Sequence, residues 1–328
     1  MPPAGAPPLS VGVPLVRVVR DGALDAVHCG HVVVSDPDGD VLLRCGAPEA
    51  AMYPRSALKP FQAAAVLELA DLEPGSDELA IMAASHTGSR THQAVVRRVL
   101  DRAGVTPAAL RCPHALPTDR AALRERPEPT RLAHNCSGKH AGFLLAARGM
   151  DEDPSRYLAV DAPVQQAVLR WLVDVCGETP IGPGVDGCGA PAWRMPLIAL
   201  ARGFARLANG AGALEPVATA MRTHPELVGG EGAVDTDLMR EDTRVIAKRG
   251  AEAVLGLAVR GGPVPMGVAI KISDGGVRAL GPVAAAVLAR CDVGAPAALA
   301  RPAVLGGCDI HGGLEITPEL DAALTSLA

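Results

Sequence analysis

Apolar and polar positions alternate between residues 12 and 45, in "PLVRVVRDGALDAVHCGHVVVSDPDGDVLLRCG". The turn signals "RDG" and "DPDGD" break the alternation. "HVVVSD" and "VLLRC" read as strands, so the stretch predicts an antiparallel meander. Beyond it the apolar period lengthens to that of helices. "SALKPFQAAAVLELA", "THQAVVRRVLDRAG", "APVQQAVLRWLVDVCG" and "WRMPLIALARGFARLANG" each carry a helical stripe. Near the end the strand period returns in "AEAVLGLAV", "PVPMGVAIKISDGG" and "PAVLGGCDIHGGLEIT", with a helical "VAAAVLARC" between them. Residues 1–10 read as a loose Pro-rich arm. Strands at both ends with helices between predict one antiparallel sheet built by both termini and covered by helices. The expectation is an α/β (α+β) fold in one domain over 1–328, with its sheet from about 12–52 and 252–316 and a mainly helical middle over 56–250.

Composition narrows the chemistry. With 328 residues the chain is long enough for a large core. A net charge of −5 and seven aromatic residues argue against a nucleic-acid surface. No apolar run reaches the roughly 18 residues of a membrane span. The N-terminus lacks a basic start followed by a long apolar core, so a cytoplasmic location is expected and the eight cysteines should be reduced thiols.

Lysine usage is the sharper signal. Of 31 basic residues only four are lysine: Lys59, Lys139, Lys248 and Lys271. Where surface cations have drifted to arginine, a remaining lysine can be one whose amine must lose its proton. Lys248, in "VIAKRG", reads as a helix-end surface residue. The other three sit in dense motifs. In "YPRSALKPFQ", Ser56 and Lys59 are three apart, so a helix starting near Ser56 puts hydroxyl and amine on one face. A desolvated neutral lysine can take the proton of a serine nucleophile, and the helix N-terminus offers N–H groups to an oxyanion. The plain alternative is an N-cap serine beside a solvated lysine. Pro60 is tolerable only within the first turn.

"AASHTGSRTH" offers Ser85, His86 and Thr87 after an apolar stretch, either as a site wall or as a turn capping the helix from about 91. "HNCSGKHAGF" concentrates Asn135, Cys136, Lys139 and His140 ahead of an apolar helix. "GVDGCGAP" sets Asp186 and Cys188 among three glycines. Cys136 and Cys188 suit a soft metal such as zinc, with His140 or an uncharged Lys139 completing the set; two buried thiols in a glycine-rich wall is the alternative. Lys271 in "VAIKISDGG" lies in an apolar strand and points either to a cleft or to solvent from an edge.

"YPRSALKPFQ", "SHTG", "NCSGKHAG" and "DGCGAP", in that order and followed by a lysine strand, resemble the signature segments of the rhizobial-type L-asparaginases, a family unrelated to the common bacterial Thr-nucleophile enzymes. The resemblance runs from about residue 12 to about 315. It implies a fold like that of serine β-lactamases and penicillin-binding proteins, and hydrolysis of L-asparagine to L-aspartate and ammonia. Ser56 and Lys59 would form one Ser–Lys pair. Lys271 would form another with Ser85 or Thr87; the family often has serine where Thr87 stands. Either hydroxyl set can supply the nucleophile. Zinc would be held by Cys136, Lys139 and Cys188. Arg55 and Asp186 would hold the substrate's α-carboxylate and α-ammonium, with Asn135 and His140 close by. A homodimer is implied. Two rivals stand beside this reading. One is a glutaminase or other Ser–Lys amidase, which differs by as little as a methylene in its substrate. The other is a non-catalytic amino-acid or zinc-binding protein, which would need no paired lysines. The β-lactamase motifs S-D-N and K-T-G are absent from the sequence.

Overall fold

A computed structural model of the chain describes residues 9–71, 73–125 and 127–327. The expected Pro-rich arm lies, up to residue 8, outside the described residues. The chain divides into two compact units. The first comprises Met1–Ala57, Met195–Asn209 and Asp237–Ala328; the second comprises Leu58–Arg194 and Gly210–Thr236.

The first unit is an eight-stranded antiparallel sheet. Its strands are β1 (Val13–Arg20), β2 (Ala23–Ser35), β3 (Val41–Cys45), β4 (Val245–Gly250), β5 (Val254–Val259), β6 (Met266–Ile272), β7 (Ala303–Gly306) and β8 (Asp309–Ile316). The order is β7-β8-β1-β2-β6-β5-β4, with β3 also paired to β2. The two termini meet in this sheet, as the strand periods at both ends predict: Val16 faces Ile316 across the β1–β8 ladder. All six residues of β5 are buried, so this strand is covered on both faces. The helix Leu197–Asn209 packs on one of them. Phe204 of that helix occupies the space a side chain at Gly256 would need, and the carbonyl of Ala201 does the same at Gly267. These two glycines let the helix approach the sheet backbone.

Residues directly opposite in a ladder share a face. Gly250, Val254, Lys271 and His31 therefore form one row across four strands. Gly250 lies against the carbonyl of Pro54, which places the Pro54–Ser56 turn over the β4 end of the row containing Lys271.

Helices dominate the second unit. Lys59–Leu69, Ser76–Met82, Arg90–Arg102, Ser137–Gly149, Pro163–Cys176 and Leu214–Thr223 carry the helical stripes. Gly138 allows the helix Ser137–Gly149 to touch the backbone of Ile81, at the end of the helix Ser76–Met82. A short hairpin pairs Ile181 with Arg194 and Val185 with Pro191.

The mainly helical middle also carries strands, at Ile181–Val185, Pro191–Pro196 and β4. Two expectations need correction. The apolar stretch from Trp193 becomes a helix only at Leu197, after Pro196, because the preceding residues alternate between buried and half-buried positions in a strand. Lys248 is not a surface residue at a helix end. It lies on β4 opposite Gly256, has no exposed surface, and donates to the carbonyl of Arg249 at 2.8 Å. Four apolar or small neighbours in a six-residue strand made burial stronger than the usual preference of lysine for water.

Candidate active site

Lys59 opens the helix Lys59–Leu69, after a 3-10 turn over Arg55–Leu58. Pro60 thus falls in the first helical turn, where its missing N–H costs little. Lys59 is 1% exposed, and its amine is surrounded by acceptors from its own unit. Nζ donates to the carbonyl of Ala84, to Ser85 Oγ at 3.1 Å and to Cys136 Sγ at 3.3 Å. The "SHTG" and "NCSGK" segments therefore converge on this lysine.

The "SHTG" segment is held from several sides. Ser85 N–H donates to the carbonyl of Val228 at 2.8 Å. His86 Nδ1 accepts from Gly88 N–H at 3.1 Å, which leaves its hydrogen on Nε2 facing Ser137 Oγ at 3.0 Å. Ser137 in turn donates to the carbonyl of Leu132. His86 stacks on His92, with ring centroids 5.0 Å apart. Burial, with His92 and Lys59 alongside, pushes His86 well below the usual imidazole range, so the stacked ring is neutral. Thr87 packs against Gly230, whose left-handed backbone (φ +90°) and missing side chain leave room for it. The helix-capping turn posed for this segment is present: Ser89 caps the helix Arg90–Arg102.

Cys136 is the N-cap of the helix Ser137–Gly149, and Lys139 lies one turn along it. Lys139 Nζ donates to Cys188 Sγ at 3.2 Å. Cys188 sits in a tight turn, in which Gly189 N–H closes on the carbonyl of Asp186 at 2.8 Å and Gly189 takes φ +85°. Asp186 Oδ2 lies 3.8 Å from Cys188 Sγ. Cys136 and Cys188 share a hydrogen bond that pulls Cys136 down; burial opposes this, while Lys59, His134 and Lys139 add to it. The same bond, together with burial, pushes Cys188 up. Burial pulls the Lys139 amine down, but Cys188, Cys136 and Asp186 outweigh it, and the group ends above its usual range.

Among the described residues no three His, Cys, Asp or Glu side chains are grouped to hold a metal. The donor set here is of another kind: two sulfurs and one amine, all buried, from two separate segments. Two thiolates and a neutral amine are suitable ligands for zinc, and the one turn between Cys136 and Lys139 suits a shared ion. The residues present fit the group.

His140 and Tyr157 are fully buried, with Nδ1 and Oη 2.7 Å apart. Asn135 is exposed, beside Cys136. Tyr157 was not legible as a site residue, because nothing in its local sequence marks it.

Arg55, Ser56 and Lys271 belong to the first unit, and all other predicted site residues to the second. Lys271 is 5% exposed on the interior strand β6, so it is not an edge-strand lysine facing solvent. Its amine donates to the carbonyls of Glu252 at 2.6 Å and Ile272 at 2.5 Å, and burial pulls its pKa down. Ser56 is half-buried. Arg55 before it takes φ +54°, a left-handed conformation. A non-glycine residue held there costs roughly 1–3 kcal/mol and is commonest at functional sites.

No curated protein matches the chain. Among solved structures, the crystal structure of Mglu aligns at 14% identity and a TM-score of 0.40, over 75% of this chain and 61% of that one. Bacillus glutaminase in 4.3 M NaCl aligns at 15% identity and a TM-score of 0.32, over 75% of this chain and 83% of that one. The chain thus spans about three-fifths of the length of Mglu. The family model of L-asparaginase II matches residues 16–313, nearly the whole chain. With buried lysines, hydroxyls and thiols gathered on the segments inside that match, the chain belongs to the L-asparaginase II family.

Proposed function

We propose that the protein is an L-asparaginase of the zinc-binding, Ser–Lys type, on a serine β-lactamase-like fold, and that it works as a cytoplasmic homodimer. Family membership supports an amidohydrolase. The observation that carries the finer reading is the buried group of Lys59, Ser85, Cys136, Lys139 and Cys188, whose successive members lie 3.1–3.3 Å from a lysine amine. A binding protein has no need of a desolvated amine on a hydroxyl.

In this reading Arg55 and Asp186 bind the α-carboxylate and α-ammonium of L-asparagine. Asn135 and His140 line the same substrate. Neutral Lys59 takes the proton of Ser56, and the serine oxygen attacks the side-chain amide carbon. Backbone N–H groups stabilise the oxyanion. The C–N bond breaks, and ammonia leaves with a proton returned by the lysine. Water then attacks the β-aspartyl ester, releasing L-aspartate and regenerating Ser56. Lys271 with Ser85 or Thr87 directs this second step. Zinc, held by Cys136, Lys139 and Cys188, would orient the substrate by its charge; two thiolates make it a weak Lewis acid.

A second reading rests on the 3.1 Å bond from Lys59 to Ser85. Ser85 would then be the hydroxyl that Lys59 activates, and Ser56 would serve the ester.

The test is ammonia release from L-asparagine and, in parallel, L-glutamine, by the wild type, Ser56→Ala and Ser85→Ala. Loss of all turnover in Ser56→Ala, with residual acylation in Ser85→Ala, is the expected outcome. The reverse pattern assigns the nucleophile to Ser85. Turnover of glutamine alone would replace the substrate, and no turnover by the wild type would remove the enzyme reading.

A further inference from the structure

His140 lies in the helix Ser137–Gly149 without exposed surface. Its ring meets that of Tyr157 edge-on, with centroids 5.6 Å apart, and Nδ1 lies 2.7 Å from Tyr157 Oη. Tyr157 is itself fully buried, and Gln165 Nε2 donates to its carbonyl at 2.8 Å, so the ring is held in place. The phenolic oxygen also accepts the backbone N–H of Arg111 at 2.8 Å. Burial pushes the phenol above its usual range, which keeps its hydrogen on.

These contacts settle the direction of the hydrogen bond. A backbone N–H can only donate, so it cannot take the phenol's hydrogen. Among the described residues, the one acceptor hydrogen-bonded to that hydroxyl is His140 Nδ1. An imidazole whose Nδ1 accepts carries its hydrogen on Nε2. That Nε2 is buried and has no acceptor among the described residues. Two consequences follow from chemistry alone. Nε2–H has no lone pair for a metal, so His140 stands outside the donor set of Cys136, Lys139 and Cys188. A buried donor lacking an acceptor is also unfavourable until an oxygen arrives.

We propose that Tyr157 is a positioning residue, whose hydroxyl holds His140 as the Nε2–H tautomer so that it donates to an oxygen of the bound amino-acid amide. The identity of the ligand rests on the asparaginase reading; the tautomer does not.

Imidazole nitrogen NMR tests the tautomer directly, with His140 assigned by its loss in His140→Gln. In the wild type, Nδ1 should be bare and Nε2 protonated, both before and after zinc is added. Tyr157→Phe should populate the Nδ1–H form. It should also raise the KM for L-asparagine roughly tenfold, the worth of one oriented hydrogen bond to a charged or polar oxygen, with kcat within about twofold. In the His140→Gln background, whose amide donor needs no tautomer, the same tyrosine substitution should move KM by less than about twofold. A protonated Nδ1 in the wild type overturns the proposal, as does direct ligation of zinc through Nε2. An equal KM penalty in both backgrounds overturns it too, since that is what a merely structural tyrosine would show. If the wild type does not hydrolyse L-asparagine, the substrate reading fails, while the nitrogen spectrum still decides the tautomer.

Discussion

Gly138 and Gly142 sit one turn apart on the helix that carries Cys136, Lys139 and His140, yet they should respond oppositely to alanine. A Cβ at Gly138 would lie 2.1 Å from the carbonyl oxygen of Ile81 and 2.8 Å from its carbon. Ordinary contact begins near 3.4 Å, so the backbones must part by about 1.3 Å. The obstacle is main chain and cannot rotate aside. The same Ile81 oxygen accepts Ala84 N–H at 3.2 Å, and the carbonyl of Ala84 receives Lys59, so the displacement passes directly into the site. At Gly142 the nearest atoms are Cγ and Sδ of Met82, at 3.0 and 3.2 Å, at the flexible end of an adaptable side chain. Replacing a helical glycine by alanine gains about 1 kcal/mol in either case. Overpacking against a rigid neighbour costs about 1–3 kcal/mol or more, and a fixed carbonyl places Gly138→Ala at or beyond the upper end. Gly138→Ala should therefore be destabilised by about 2 kcal/mol or more, while Gly142→Ala stays within about 0.5 kcal/mol of the wild type. Urea denaturation checks this through the shift in midpoint at constant slope. Equal midpoints for the two variants would refute the view that the glycine of "SGK" is there for backbone contact.

Two further outcomes follow from the same structure. Arg55→Gly should raise stability relative to Arg55→Ala by about 1 kcal/mol, because glycine accepts φ +54° without strain while both variants lose the guanidinium; thermal melts of the pair decide it. The stacked imidazoles predict acid sensitivity. Burial lowers His86 and His92 below their unfolded value, so the unfolded chain binds protons that the native state refuses. Stability is then complete above pH about 6.5 and falls as pH drops below it, with a slope of up to about 2.7 kcal/mol per pH unit for the two groups. Buried His140 is lowered in the same way and adds to the slope, so melting temperatures between pH 7.5 and 5 test this, and His92→Gln should reduce the slope by about a third; a flat profile would mean that these imidazoles charge freely in the native state.

Sequence periodicity determined a good part of this protein. Strand alternation at both ends predicted a sheet that both termini share, and Val16 opposite Ile316 shows it. Lysine scarcity marked Lys59, Lys139 and Lys271, because an amine kept where arginine is the common cation carries information before any fold is known. The same scarcity was misread at Lys248: a six-residue strand is too short for its period to be told from a helix end, and lysine burial is decided by what covers it. Tertiary structure alone decided which groups meet. Lys59 reaches Ser85 across 26 positions and Cys136 across 77, and Lys139 reaches Cys188 across 49. No local pattern encodes those separations; the crossing of helices at Gly138 and the turn at Gly189 set them. Tyr157 is the plainest case. Its neighbours in sequence carry no motif, and its role exists only because folding brings its hydroxyl to the one acceptor it meets among the described residues, His140 Nδ1.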